Sequence, residues 1–594
     1  MKVVKRNGKQ ELFDPVKIRS AIELANNDMV EKDRIAPSSI TWIVKSVIDE
    51  IGDVKKIHVE EIQDLVENHL IRLNKANLAK HYIKYRYRQG LARDKYNELM
   101  SAVESKLKAD NIQNQNANMD EASFSGRIGE ASNLLNKQYA LDYILSERTK
   151  NNHLNNRIYI HDLDHYAVGD HNCLSLPIDK LLENGFVTRQ TDVRPAGSVN
   201  TAMQLVAVCM QLQSLNQFGG ISVTHLDHTM VPYVRKSFAK HFKDGLEFIK
   251  PKFWRWFRDT KNYQPANELA LDDPLIRKKR FRFVYNYALK LTKREIYQSV
   301  EGLYHNLNTL QSRSGGPLPF SSINYGTCTK EEGRLVTEAL LKCSITGLGK
   351  LHKTSIFPCG IFQCMKGINT EKGDPNYDLF RIALKSTAKR LYPNYCNCDW
   401  SGNEGYDKND PKTYFSTMGC RTANGWDING FGQLKDGRGN ICPTTIILPT
   451  LAMEAREQYD EFKKENPTNR KVKVEDIFLH ILGQACDEAK DSLIERFEYI
   501  CSQKPESARF MYENGLMAGY VPEEGIRSAL KHGTLALGML GLAETLQILI
   551  SCNHTTNKGM DLAKRICSLM SSKCAQYKEE YNLNFGLNIN FANL

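Results

Sequence analysis

The chain has 594 residues, of which 41% are hydrophobic and 25% charged, a composition that excludes disorder and a length that exceeds a single core. Its net charge of +11 suits polyanionic ligands such as nucleotides; the basic residues are otherwise read as scattered solvated charges, so no nucleic-acid partner is expected. No run approaches the roughly 18 apolar residues of a membrane span, and the N-terminus lacks an apolar stretch of signal-peptide length. No membrane association is expected, and the fifteen cysteines are read as reduced thiols in a cytoplasmic protein.

In chain order, residues 1–95 predict a small, mainly helical domain. Two short strands flank Asn7-Gly8, a hairpin signal. Asp14-Pro15 supplies a helix N-cap and first turn, and Ile18, Ala21, Ile22 and Leu24 mark the apolar face that follows. Further helices are predicted over 38–51, 59–73 and 78–93, the last strongly basic. Lys5, Arg6, Lys17, Lys84, Arg86 and Arg88 form a candidate triphosphate pocket, the alternative being solvated helix charges. Residues 96–120 are polar and Asn-rich and read as a linker. From 121 to 594, short apolar runs alternate with amphipathic stretches, predicting a large α/β domain.

Two cysteines attract chemical interest. Cys420 sits in "STMGCRTANG" beside Arg421, a setting that suits a reactive thiol on an accessible loop and also an incidental pairing. Cys173 ends "HDLDHYAVGDHNC", after His161, Asp162, Asp164, His165, Asp170 and His171. These are metal-ligand types, but their spacing fits no common zinc or facial-triad pattern, and polarity ahead of a buried strand is the alternative. No C-x-x-C pair occurs, so no metal site is expected. Phosphate-loop, dinucleotide and G-x-S-x-G signatures are missing, which disfavours conventional phosphoryl and acyl transfer.

Longer segments carry more. "VVKRNGKQELFDPVKIRSAI", "VEEIQDLVENHL" and "YIKYRYRQ" resemble an ATP-cone, the regulatory nucleotide domain of ribonucleotide reductases. "HDLDHYAVGDHNC", "QSLNQFGGISVTHLDH", "LYHNLNTLQSRSGGPLPFSSINYGT", "SIFPCGIFQ", "LYPNYCNCDWS", "STMGCRTANGWDING" and "DGRGNICPTTIILPTLAMEA" resemble the anaerobic, class III ribonucleoside-triphosphate reductases over nearly the whole chain. The resemblance implies a ten-stranded α/β barrel, built from two five-stranded halves and entered by a finger loop. It implies that Cys173 carries the thiyl radical that removes the ribose 3′ hydrogen, and that Cys420 supplies reducing equivalents. Met418 matches the thioether of the formate-using branch, and Asn440 an amide bonded to a substrate hydroxyl. Lys5, Arg6 and Lys17 match positions that hold the phosphates of ATP, an activator, and dATP, an inhibitor. The implied partners are a ribonucleoside triphosphate, a second copy in a homodimer and a radical-SAM activating enzyme.

The family pattern also includes a zinc-binding C-x-x-C pair and a glycyl-radical loop R-V-x-G-Y, and neither motif occurs among these residues. "MAGY" (517–520) is a superficial echo, with Gly519 read as a turn glycine. The expectation is a reductase domain truncated before that region, with the radical glycine coming from a separate C-terminal fragment. Alternatives are a catalytically silent nucleotide-binding remnant, a lyase of the formate-lyase type, disfavoured by the cone, and a cone-bearing repressor, disfavoured by length.

Overall fold

The computed structural model describes residues 1–5, 10–73, 75–109, 119–248, 263–311, 317–418, 422–467 and 471–588. Contacts divide the chain into Met1–Lys108 and Ala109–Leu594.

The first unit begins with strands β1 (Lys2–Val4) and β2 (Gln10–Leu12), paired antiparallel as the hairpin signal predicts; β1 also runs parallel to β3 (Lys56–His58). The short β3 lacks a periodic pattern of its own and was not anticipated. Asp14 caps α1 (Pro15–Asn27), its carboxylate accepting the Val16 N–H at 3.0 Å. Ile18, Ile22 and Ala25 face the core, whereas Leu24 is exposed, because the buried stripe follows the i, i+4, i+7 positions. Helices α2 (Pro37–Ile51), α3 (Val59–Arg72) and α4 (Ala76–Lys108) complete the unit. The polar stretch read as a linker over 96–120 is therefore helical as far as Lys108.

The second unit is built on two sheets. In one, β5 (Leu174–Ser175), β8 (Ile221–Val223), β9 (Ser321–Tyr325), β10 (Cys359–Cys364) and β11 (Asn394–Asn397) are all parallel, in the order β11-β10-β9-β8-β5. In the other, β12 (Asn440–Ile447), β13 (Thr534–Leu540) and β14 (Asn584–Asn588) are parallel and β4 (Ile158–Ile160) is antiparallel to β12. The second sheet thus shows four strands among the described residues where the family pattern implies five. A two-stranded ribbon, β6 (Phe186–Val187) with β7 (Asp192–Val193), lies apart. The central strands are buried along almost their whole length, as strands covered on both faces of a parallel sheet must be, yet they carry polar residues such as Ser322, Asn324, Gln363 and Thr444.

The sheets meet at one edge. The N–H groups of Asn172, Cys173 and Ser175 each donate at 2.9 Å to the carbonyls of Ile441, Asn440 and Arg438, and Gly437 N–H returns a bond to Ser175 at 2.8 Å. The approach is so close that a Cβ on Gly439 would lie 1.7 Å from the Cys173 carbonyl oxygen. This explains the second glycine of "DGRGN". Gly439→Ala is therefore expected to lower the unfolding midpoint by an amount matching about 1–3 kcal/mol or more. Gly425→Ala, where a Cβ meets nothing within 4 Å, should be near neutral; equal melting of the two variants in a thermal scan would contradict this account of the junction.

Candidate functional site

Cys173 lies where this junction begins. It is buried, and its Sγ donates to Asn172 Oδ1 and accepts from Gly220 N–H, both at 3.2 Å. Gly219 must be glycine, because a Cβ there would sit 1.8 Å from Asn172 Oδ1. The "FGG" of the sequence thus shapes the thiol's surroundings, and Asn172 is a site residue that motif reading passed over. Its only sequence signal is adjacency to the cysteine. Both of these hydrogen-bond partners are neutral groups.

Asn440 opens β12 and its carbonyl receives the Cys173 N–H. The residue is 1% exposed, and its side-chain Oδ1 is buried without a hydrogen-bond partner. Nearby segments hold other buried polar atoms without partners: both ring nitrogens of His171, Gln363 Oε1, Asn424 Oδ1, Asp436 Oδ2 and Arg438 Nη2. A buried polar group left unpaired costs about 1–3 kcal/mol, so each of these atoms is a candidate to bond a polar ligand.

The stretch after η-turn Pro411–Thr413 is pinned across the five-stranded sheet. Phe415 carbonyl accepts from Gln363 Nε2 of β10 at 3.0 Å and from Cys396 Sγ of β11 at 3.3 Å. Thr417 carbonyl accepts from Ser222 Oγ of β8 at 3.0 Å and Asn324 Nδ2 of β9 at 3.2 Å, while Asn324 Oδ1 takes the Thr417 N–H. Four neighbouring strands each contribute one inward side chain. Ser222 pairs in register with Ser175, two residues past Cys173, so the seat carries Met418 to the strand beside the thiol. Met418 is 1% exposed and its N–H bonds Thr422 carbonyl at 2.7 Å, closing the tip of the loop. Cys420 lies outside the described residues.

Beyond the tip, Asp427 anchors the same loop to the other sheet, accepting from His532 at 2.8 Å and Asn584 Nδ2 at 2.7 Å. Burial opposes its charge, but these bonds outweigh burial and hold its carboxyl well below the usual range. A second buried network ties β8 to the approach to β12. His225 Nε2 meets Asp179 Oδ2 at 3.0 Å, His225 Nδ1 meets Thr224 Oγ1 at 2.6 Å, and Thr224 donates to Asp436 Oδ1 at 2.5 Å. Burial would depress His225, yet Asp436, Asp179 and Asp227 lift it to about 9; burial raises Asp436 to about 6 against the pull of His225.

The polar cluster before Cys173 disperses. His161 bonds Thr445, His165 bonds Asp170, and burial pushes His161 and His171 down to about 4. Among the described residues no group of three His, Cys, Asp or Glu side chains is placed to hold a metal. The cluster is not simple surface polarity either, because His171 is buried.

In the first unit, Lys5 and Lys17 converge on Glu11 at 3.3 and 2.9 Å. Their hydrogen bonds hold the Glu11 carboxyl below its ordinary range. Arg6 and the Arg88 side chain lie outside the described residues. Arg86, grouped with the candidate phosphate ligands by sequence, is instead engaged by Glu60, Asp64 and Glu67 at 2.5, 2.7 and 2.7 Å. A basic sequence cannot disclose which cations are already paired by the next helix.

Comparison with known proteins finds matches over both units. A family model described as anaerobic ribonucleoside-triphosphate reductase matches residues 115–589, and one described as ATP cone domain matches residues 1–91. The Haemophilus influenzae anaerobic ribonucleoside-triphosphate reductase is 28% identical over 560 residues, covering 93% of this chain and 71% of the relative. That of Escherichia coli is 26% identical over 596 residues, covering 98% and 75%. A solved anaerobic ribonucleotide reductase from Thermotoga maritima, with citrate in its active site, has a TM-score of 0.55 at 15% identity over 84% of this chain and 83% of that one, a likeness of fold. Against one further solved anaerobic ribonucleotide reductase the chain covers 64% of the neighbour's length.

The Asp436 network makes a pH prediction. A carboxyl raised to about 6 binds more protons folded than unfolded between roughly pH 4 and 6. Its stabilising protonation is therefore lost as pH rises through that window, and its penalty is complete above it. Asp436→Asn, which keeps an oxygen for Thr224, should raise stability by on the order of 2 kcal/mol near pH 7.5 and by much less near pH 4.5. A gain independent of pH in thermal melts would refute this.

Proposed function

Because the chain belongs to the anaerobic ribonucleoside-triphosphate reductase family, as an oxidoreductase with an ATP-cone that binds nucleotide effectors, we propose that Cys173 is its hydrogen-abstracting thiol, and that it works on a ribonucleoside triphosphate held between the two sheets. The observation that carries the assignment is the direct main-chain bond between Cys173 and Asn440. It joins the main chain of the proposed thiol to that of Asn440, whose buried Oδ1 has no partner among the described residues.

The roles follow from chemistry. A thiol between neutral hydrogen-bond partners keeps its S–H as a hydrogen-atom donor, so Cys173 as a thiyl takes the 3′ hydrogen and later returns one. Asn440 offers an acceptor and donors that do not titrate, suited to a ribose hydroxyl. Asn172 aims the sulfur. Met418, on a segment seated against the five-stranded sheet, and Cys420 are the proposed reductant-side residues. Formate is the proposed reductant: the 2′ hydroxyl, formate and one proton give a 2′ hydrogen, carbon dioxide and water, which balances atoms and charge.

The described residues do not fit the family's zinc centre or radical glycine. They contain no three-ligand metal cluster, and Gly519 is a turn glycine, with φ +75° and no room for a Cβ, since His532 Nε2 would lie 2.5 Å away. The radical glycine is therefore proposed to come from a separate C-terminal segment, generated by a radical-SAM activating enzyme, in a cytoplasmic homodimer. No helix of the described residues is long and apolar enough to cross a membrane.

Two measurements test these roles. With a C-terminal fragment carrying the glycine and an activating enzyme, labelled formate should yield labelled carbon dioxide in step with deoxynucleotide. Cys173→Ala should abolish product and leave the glycyl electron paramagnetic resonance signal intact; turnover driven only by a dithiol protein would remove formate from the scheme. In the cone, Lys5, Arg6 and Lys17 are proposed to hold effector phosphates, with ATP and dATP competing at micromolar affinity, roughly −8 kcal/mol. Since Glu11 occupies Lys5 and Lys17, Glu11→Gln should tighten dATP binding in calorimetric titration; weaker binding would place the phosphates elsewhere.

A further inference from the structure

Lys435 and Arg438, on the approach to β12, are buried cations, each 1% exposed. Lys435 Nζ donates to Asn424 carbonyl at 2.8 Å and Gln433 Oε1 at 2.7 Å. Arg438 Nε and Nη1 donate to the carbonyls of His532, Gly425, Gly432 and Leu434. Nη2 is left, buried, with no acceptor. The neighbouring carboxylates make their hydrogen bonds elsewhere, Asp427 to His532 and Asn584 and Asp436 to Thr224, although Asp427 still acts on Arg438 as a counter-charge.

Stapling the loop's carbonyls accounts for Arg438 Nε and Nη1. It accounts neither for the unused Nη2 nor for a second cation three residues away. Burial of the Lys435 charge is unfavourable and the like charge of Arg438 adds to that, while Asp427 offsets part of the burial of Arg438 only. Burial and repulsion by Arg438 bring Lys435 down to about 7; the Cys398 thiol, which acts in the opposite sense, is the other titratable group that faces it. One monoanion would offset both effects. The Nη2 group suits a planar oxyanion. Asn424, which lends its carbonyl to Lys435, lies four residues beyond Cys420 in the sequence.

We infer that Lys435 and Arg438 form an enclosed subsite for a single small oxyanion of the carboxylate class, and that formate is the anion it takes. The inference rests on the formate-dependent reading above. It concerns binding alone and gives the reductant a place on the loop that carries Met418.

The test uses the full chain and carbon-13 formate, followed by the line width of its resonance. The wild type should broaden the signal saturably near pH 6.5. Lys435→Met should bind at least tenfold more weakly, and Lys290→Met, on an exposed helix face, should match the wild type. The ammonium must be charged to hold the anion, so wild-type affinity should fall as pH is raised from about 6.5 to about 8.5, with proton uptake on binding near pH 7.5. This arm needs no variant and stands even if Lys435→Met does not fold. Equal binding by Lys435→Met, affinity independent of pH over that range, or no saturable broadening by the wild type would each overturn the subsite. Release of labelled carbon dioxide reports separately on formate as reductant: turnover with formate alongside unchanged binding by Lys435→Met rejects the subsite and leaves that reading in place.

Discussion

Four main-chain hydrogen bonds between residues 172–175 and 437–441 set the geometry on which the site depends. They join the edge strand of one parallel sheet to the first residues of the central strand of the other. Because the bonded atoms are backbone, the relation between Cys173 and Asn440 is insensitive to rotamers and is set by register. A slip of one residue would turn both side chains to opposite faces. Gly439 permits the contact by having no side chain, and Arg438 holds the incoming loop by its carbonyls. The Cys173 main chain is thereby placed by the least adaptable part of the fold.

Much of this arrangement can be read in the sequence, where local chemistry decides it. Asn7-Gly8 and Asp14-Pro15 announce the hairpin and the first helix, because turn and cap preferences act over a few residues. The long motifs around Cys173, Met418 and Asn440 identify the family for the same reason. Other features are decided by partners distant in sequence. Asn324 and Ser222 look like ordinary strand residues, and only the fold reveals that they grip Thr417. Arg86 looks like a phosphate ligand until α3 supplies three carboxylates. Leu24 fits an approximate helical face and is nonetheless exposed, since burial depends on which neighbours arrive.

The charges around the site are graded. Immediately at Cys173 the hydrogen-bond partners are amide groups. Farther out, His225 and Asp179 form a buried ion pair with Asp436 close by, and Asp427 is held ionised by His532 and Asn584. Radical chemistry at sulfur needs a hydrogen atom on the thiol, and a strong local field would favour thiolate. The full charges hold loops in position, Asp427 joining its loop to His532 and Asn584 and Asp179 gripping His225.

The seat of the Phe415–Thr417 segment has a mechanical consequence. Its two carbonyls are bonded by side chains from four adjacent strands, spaced by the pitch of the sheet. A small sideways slide breaks these bonds together and reaches no new set until the segment has moved by a whole strand or residue spacing. The finger therefore has discrete resting places and no continuum of intermediate ones. Any sideways excursion of the segment is a complete unlatching, and Met418 returns to the same position each time the segment reseats.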